Sequence, residues 1–592
     1  MADGLTRRNF LRLGTAAGAG LLVPSWLGLG CGDSGGQTVT APPQTTVETA
    51  TAPQVIRTPA TLDRFIDPLP IPPVLTPDRD RFPHTDYYEV RMSQFGSRLH
   101  SQLPETVLWG YGKGFPGPTI EARRGRKTRV RWINDDLPQR HLLEPAIDPT
   151  IYHGREYPDV RTVVHLHGAF VAPESDGQPD AWSTPGGRET GERYYGNEFT
   201  YPNDQPATML WYHDHGMHTT RLNVYAGLAG LYFIRDDDED RLGLPSGEYE
   251  IPLAIADRNL AEDASLTYPT DGITPLHPVW VMRVAGEIPL VNGKAYPYLD
   301  AEPRRYRLRL LNASNSRTWN LWFDSGGGAL PFHMIGGDGG FLPAPVELQR
   351  LRLGPAERAD VILDLTGADK GSLLTLRNDA PMPYPEGGMA VPDNLMQIRV
   401  SRDLDGEDQS TPVPRLSLPQ PPAVTPTPGI PKRVITMAEL GHGESNVADL
   451  QINFRYFHEP VAVSPAAGTT EIWEVVNLTL DAHPFHVHLV QFQVLDRQPF
   501  DQLSYWNDSR ADHAGVTPSI PDPAGYLTGP AVPRGPEEAG LKDTAMSMPA
   551  EVLRIAVPFH LPPDTATPAR YIFHCHILEH EDNDMMRPFE VT

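Results

Sequence analysis

The chain has 592 residues, too many for one hydrophobic core, so two to four domains are expected. Its formal charge of −25 argues against a nucleic-acid partner and leaves a solvated, weakly cation-attracting surface. Pro (63) and Gly (52) are plentiful, which favours many turns and short strands over long helices.

The N-terminus reads as a targeting segment. Arg7 and Arg8, before Asn9-Phe10-Leu11, precede a Gly- and Ala-rich apolar run from Leu13 to Leu29. This is the pattern of a twin-arginine export signal, which carries folded proteins and implies a periplasmic or cell-surface destination. A transmembrane helix is the weaker alternative, because Pro24 and several glycines interrupt a run that is barely long enough. Cys31 resembles a bacterial lipoprotein acceptor, although Gly28 stands where that pattern carries Leu, so membrane anchoring and simple cleavage both stay open. Residues 33–55 read as a flexible tether.

Beyond the tether, one alternating pattern occurs three times, ending at Asn134, Asn312 and Asn477, 178 and 165 residues apart. Domain-length spacing of this kind points to three copies of one module. Further short runs, such as 359–365, 489–495 and 552–557, are separated by turn residues, the pattern of antiparallel sandwiches or barrels. A Pro-rich stretch from about Asp405 to Pro431 reads as a linker. The expected organisation is signal and tether at 1–55, modules at 56–240 and 241–410, a linker at 411–431 and a module at 432–592.

Four motifs concentrate ten of the 21 histidines: His165-Leu166-His167, His213-Asp214-His215, His483-Pro484-Phe485-His486-Val487-His488, and His574-Cys575-His576 with His580. Residues i and i+2 of a strand share a face, with Cα atoms about 6.5–7 Å apart, so each His-x-His pair offers two imidazoles to one point. Four pairs supply eight imidazoles, enough to hold three copper ions. Cys575 is the one cysteine outside the signal region, so it has no disulfide partner and is free for metal. With His580 and Met585 it provides most of the His₂Cys-plus-Met set of a blue-copper centre, and His483 is left over to complete it. On an extended strand Cys575 points one way while His574 and His576 point the other, so one strand touches two metal centres. The middle module has lone histidines, His277 and His333, and His333 reads as structural. His218 lies three residues after His215, off that strand face, and reads as a non-ligand. Met546, Met548 and Met586 read as ordinary packing.

These motifs, in this order, resemble the multicopper oxidase family, and most of all the bacterial spore-coat laccases and bilirubin oxidases. The likeness runs from Pro116–Glu121 through Thr162–Gly168, Trp211–Gly216 and Arg221–Gly227 to Tyr571–Met586. It implies an all-β fold of three consecutive cupredoxin-like Greek-key β-barrels and four copper ions. It further implies type 1 copper at His483, Cys575, His580 and Met585, and type 2 copper at His165 and His486. The type 3 pair falls to His167, His213, His215, His488, His574 and His576; strand alternation alone does not separate type 2 from type 3. Glu581 and Asp176 match family positions assigned to proton delivery, although an Asp-Gly pair such as Asp176-Gly177 is by itself a turn signal. The activity implied is one-electron oxidation of small phenols or aromatic amines, coupled to reduction of O2 to two waters. Electrons would enter through the edge of His580 and cross Cys575 to His574 and His576. The alternatives are a metallo-oxidase acting on Cu(I), Fe(II) or Mn(II), a bilirubin oxidase, a blue-copper electron carrier, which needs only the four type 1 residues, and a zinc protein, disfavoured by the scarcity of cysteine. A monomer is the default expectation for assembly.

Overall fold

The computed structural model describes residues 62–272, 274–441, 447–510 and 517–592. The twin-arginine segment, Cys31 and the tether lie outside the described residues. Among the described residues no helix is long and apolar enough to cross a membrane.

The architecture is all-β, and the Asn-ended strands hold equivalent places in it. Strand β1 (Thr85–Ser97) lies parallel to β2 (Lys127–Asp136), whose other edge is paired antiparallel by Glu198–Tyr201. A second sheet of this region contains β3 (Val164–His167) against β4 (Thr208–Asp214); a short helix α1 (Thr220–Ala226) then leads to β5 (Ala229–Arg235), which pairs with β4. In the middle of the chain β6 (Glu250–Leu260) lies parallel to β7 (Arg305–Asn312), and β8 (Arg358–Asp364) pairs antiparallel with β7. Near the C-terminus β9 (Arg433–Gly441) lies parallel to β10 (Thr470–Asn477), which Glu551–Pro558 flanks antiparallel. The same parallel-then-antiparallel neighbourhood therefore surrounds all three strands.

The terminal asparagines explain part of this echo. Asn312 donates Nδ2 to the carbonyls of Arg317 and Leu353 and accepts from Ser314 N. Asn477 does the same with Asp481, Ser547 and Thr479. Each closes a local turn on itself and ties it to a crossing strand. Asn134 differs, donating instead to Thr162 Oγ1.

The last sheet runs in the order β12-β11-β13-β14, from β11 (His483–Val487), β12 (Thr544–Ser547), β13 (Ala569–Cys575) and β14 (Met586–Val591). A one-turn helix, α2 (Leu578–Asp582), separates β13 from β14. Trp473, fully buried, anchors the core beneath, with the rings of Phe485, Phe559, Phe573 and Phe589 5.2–6.4 Å away. The run at 489–495 is not the strand expected: Leu489 takes a φ of 72°, which breaks the extended chain, and the strand begins at Gln493. Residues 405–431 contain no strand but are well fastened. Val413 and Leu418 are buried in the middle core, and Arg305 bonds Ser410 while its own amide bonds Asp408.

Candidate metal centres

The period of two along each strand decides which side chains leave the core. On β3, Val164 and Leu166 are buried in the first core, so His165 and His167 take the opposite face. On β11 and β13, Phe485, Val487, Phe573 and Cys575 belong to the last core, while His486 and His574 stand opposite one another on the other face. One pleat therefore separates two clusters of ligand-type atoms, and the single thiol is in the inner one.

In the inner cluster Cys575 Sγ lies 3.2 Å from His483 Nδ1 and 3.8 Å from His580 Nδ1, and the two imidazole nitrogens are 3.3 Å apart. His483 donates Nε2 to Thr479 Oγ1 at 2.6 Å, which leaves the Nδ1 lone pair for the thiol side. Ile577 N donates to Sγ at 3.4 Å. Met585 is fully buried and its backbone is bonded to both Cys575 and His580, which keeps it beside the cluster. Burial, with Arg283 as a second cause, depresses both imidazoles, His483 to about 3. Burial also pushes the Cys575 thiol up, so only a bound cation would hold it as thiolate here.

His580 has no solvent-exposed surface, and its ring bonds the backbone of Met282 in the segment 277–284. Asp148 accepts from the amides of Val279 and Trp280, and the Trp280 indole donates to Glu579 O at 3.0 Å. Arg283 is ion-paired with Glu439 and Asp481.

The outer cluster gathers eight buried imidazoles from β3, β4, β11 and β13 and the residues just beyond them. His215 Nε2 and His488 Nε2 approach His574 Nε2 at 3.4 and 3.3 Å. The ring of His576 is 5.0 Å from that of His167 and 5.3 Å from that of His213. His165 stacks on His488 and His167 on His486, with centroids 3.8 and 3.7 Å apart. Burial keeps these rings neutral, helped at His165 and His167 by repulsion from neighbouring imidazoles; it depresses His574 to about 4 and, against the pull of Glu581, His215 to about 4. His165 Nε2, His167 Nδ1, His213 Nε2, His486 Nε2 and both nitrogens of His576 are buried without a hydrogen-bond partner. An unmet buried polar atom costs about 1–3 kcal/mol, so this many in one place fits electrophiles that the protein itself does not supply. Neutral imidazoles with a neighbouring thiol are a donor set suited to copper.

Carboxylates surround the outer cluster. Glu581 places Oε2 3.0 Å from His574 Nδ1 and Oε1 3.4 Å from His215 Nδ1, and burial lifts it to about 7. Asp176 accepts from His488 Nδ1 at 3.0 Å through Oδ2 and from His165 Nδ1 at 2.6 Å through its carbonyl. It reaches them because Gly177, at φ 76°, turns where a Cβ would lie 2.0 Å from Val164 O.

Other contacts were not anticipated from sequence. Asp214, between two candidate ligands, accepts from Val163 N, Gly216 N and Asn223 Nδ2. Asp543 meets His167 and His486, yet Lys542-Asp543-Thr544 carries no motif; only its place before a β-strand marks it. His218 bonds the carbonyl of Asp582 and belongs to neither cluster. His277 bonds Thr150, and His333 lies 3.6 Å from Glu347.

Similarity to known proteins agrees with this geometry. Residues 430–592 match a family of multicopper oxidases. A laccase of Bacillus subtilis is 44% identical over 547 residues, covering 90% of this chain and 99% of its own. A laccase of Haloferax volcanii is 37% identical over 606 residues, covering 99% and 91%. The crystal structure of a laccase from Pediococcus acidilactici superposes with a TM-score of 0.68 at 28% identity, covering 90% of this chain and 95% of the other. With cupredoxin-like β-domains, two adjoining clusters of copper-type donors and relatives aligned along nearly their whole length, this chain belongs to the multicopper oxidase family.

Proposed function

We propose that the protein is a laccase-type oxidase that takes single electrons from phenols or aromatic amines and reduces O2 to two waters, using four copper ions. The observation that carries this reading is the pleat: Cys575 shares the inner cluster with His483 and His580, while its neighbours His574 and His576 join the outer one. A blue-copper carrier needs only the first of these clusters. Copper, when bound, supplies one-electron redox change and affinity for O2.

In this reading His483, Cys575, His580 and Met585 hold the type 1 ion and His165 and His486 the type 2 ion. His167, His213 and His576 hold one type 3 ion, and His215, His488 and His574 the other. The second triad is supported by the meeting of its three Nε2 atoms. Glu581 and Asp176 are the proton-handling carboxylates. Each lies against two candidate ligands, and a carboxyl lifted to about 7, as in Glu581, both gives and takes a proton near neutrality. The backbone around Asp214 holds the first two motifs in register while these groups work.

In this reading the modules span 56–240, 241–410 and 432–592, with 411–431 linking the second to the third. Export by the twin-arginine signal to the periplasm or cell surface is supported by Arg7, Arg8 and the apolar run that follows, and Cys31 offers a lipid-anchoring point. Its reductants in this reading are small molecules, with O2 as the acceptor.

Oxygen uptake by the copper-loaded protein, with a dimethoxyphenol, an aryl amine, bilirubin, Fe(II), Cu(I) and Mn(II) as separate reductants, tests the reading. Uptake of one O2 per four phenol equivalents without peroxide is expected. Uptake with metal ions alone would replace this substrate class, and none with any reductant would reduce the protein to a carrier.

A further inference from the structure

Among the described residues the middle domain contributes none to either cluster of candidate ligands, yet one of its arginines reaches the outer one. Arg358, at the start of β8, is fully buried and grips Asp543 with both ends of its guanidinium, Nη1 to Oδ1 at 2.8 Å and Nη2 to Oδ2. The arginine is fixed in turn: its amide donates to Asp338 Oδ1, Nη1 to Ala356 O and Nε to Met209 O. Lys542, next to Asp543, is ion-paired with Asp338 and Glu357, so the charges alternate around the pair.

Asp543 passes this order on to two imidazoles. Its Oδ1 accepts from His167 Nε2 at 3.0 Å, and its backbone carbonyl accepts from His486 Nδ1 at 2.8 Å. A proton placed on one nitrogen of a neutral imidazole leaves the lone pair on the other. His167 is therefore set with Nδ1 free and His486 with Nε2 free, and these are the nitrogens buried without partners. The two stacked rings present different edges because Asp543 holds His167 through Nε2 and His486 through Nδ1, with Thr544 Oγ1 beside the same two nitrogens at 3.0 and 3.2 Å. The first motif ends in Gly168 for the same reason. At φ 86° a Cβ there would lie 2.4 Å from Asp543 Oδ2 and 2.9 Å from Arg358 Nη2.

We propose that Asp543, clamped by Arg358 of the metal-free domain, is the positioning residue that fixes the tautomers of His167 and His486 and so prepares the outer cluster for copper. This rests on the copper-oxidase reading above. A partner carboxylate on a ligating histidine is worth about 10–100-fold in metal affinity.

The test compares Asp543→Asn and Arg358→Lys with the parent protein by copper per polypeptide under chelator competition, the electron paramagnetic resonance signal of type 2 copper, the blue thiolate absorption and the unfolding midpoint of the metal-free form. Asp543→Asn keeps the backbone carbonyl that holds His486 but not the carboxylate on His167, so a loss of about 10–100-fold in affinity is expected for the copper outside the thiolate site, with the blue band intact and the type 2 signal the less altered. Arg358→Lys keeps the charge but not the two-pronged grip, and a smaller selective loss of about three- to tenfold is expected relative to that range. It decides the question even if Asp543→Asn does not fold. Parent-like affinity and signal in both variants would overturn the proposal. Equal loss at both clusters, together with a fallen midpoint, would make the pair a strut of the fold and overturn it too. Absence of a blue band in the loaded parent would instead count against the oxidase reading itself.

Discussion

At the residue scale, two side chains divide the chemistry between them. Cys575 supplies the one thiol among the candidate ligands, and a hydroxyl gives no comparable charge-transfer absorption. Cys575→Ser is expected to fold, lose its intense blue colour and lose all turnover, as a visible spectrum and an oxygen electrode would show; a blue variant would refute the type 1 assignment. Glu581 touches His215 and His574 but not the thiol cluster. Glu581→Gln removes an exchangeable proton while keeping the shape of the side chain. Bleaching of the blue band by a phenol under argon should proceed as in the parent, whereas reoxidation by O2 should slow about 10²–10⁴-fold, the usual worth of a placed acid or base. Stopped-flow absorption separates the two half-reactions.

At the scale of elements, α1 and α2 hold the first and last domains together. Asp582 on α2 accepts from the amides of Thr220 and Arg221 and from the Arg221 guanidinium, all buried. Removing one partner of such a pair costs about 3–5 kcal/mol, so Asp582→Ala should lower the unfolding free energy of the metal-free protein by an amount in that range, read as a lower denaturant midpoint at unchanged slope. An unchanged midpoint would show the helix pair to be incidental to stability. The ligand strands were legible in sequence because their information is local: His165 and His167 alternate with Val164 and Leu166, and the flanks of Cys575 alternate with it. Asp543 and Arg358 lie 185 residues apart on different domains, and no periodicity links them. Asp176-Gly177 read equally as a turn, and the fold makes it both, the glycine turning so that the aspartate reaches two imidazoles. The Leu489 break was hidden because an apolar run does not reveal a residue forced into positive φ.

At the scale of the whole molecule, buried carboxylates tie acid stability to the domain interiors. Glu250 is held down to about 2 by Arg307, Arg309 and Arg235, whose attraction outweighs the opposing effect of burial. Glu538 is likewise held to about 2 by Arg497 against burial. A carboxylate depressed in the folded state contributes fully above its unfolded value of about 4.5, and the contribution is lost as pH falls towards 2. The two groups together are worth several kcal/mol, on the order of 3 each. The unfolding midpoint of the metal-free protein should therefore be insensitive to these groups above about pH 5 and fall steeply between pH 5 and 2. Glu250→Gln should make that fall shallower; an identical profile would remove Glu250 from the account.

The burial of His580 bears on how a reductant is handled. With its ring fully buried and bonded to the Met282 backbone, and with Arg283 of the same segment ion-paired to Glu439 and Asp481, the imidazole offers a donor molecule no open edge. Charge then has to leap a fixed gap, and the ease of that leap follows the donor's own potential more than its outline. Across small donors of unlike shape, oxidation rates are then expected to rank by potential, and a ranking by shape in a substrate series would tell against that consequence.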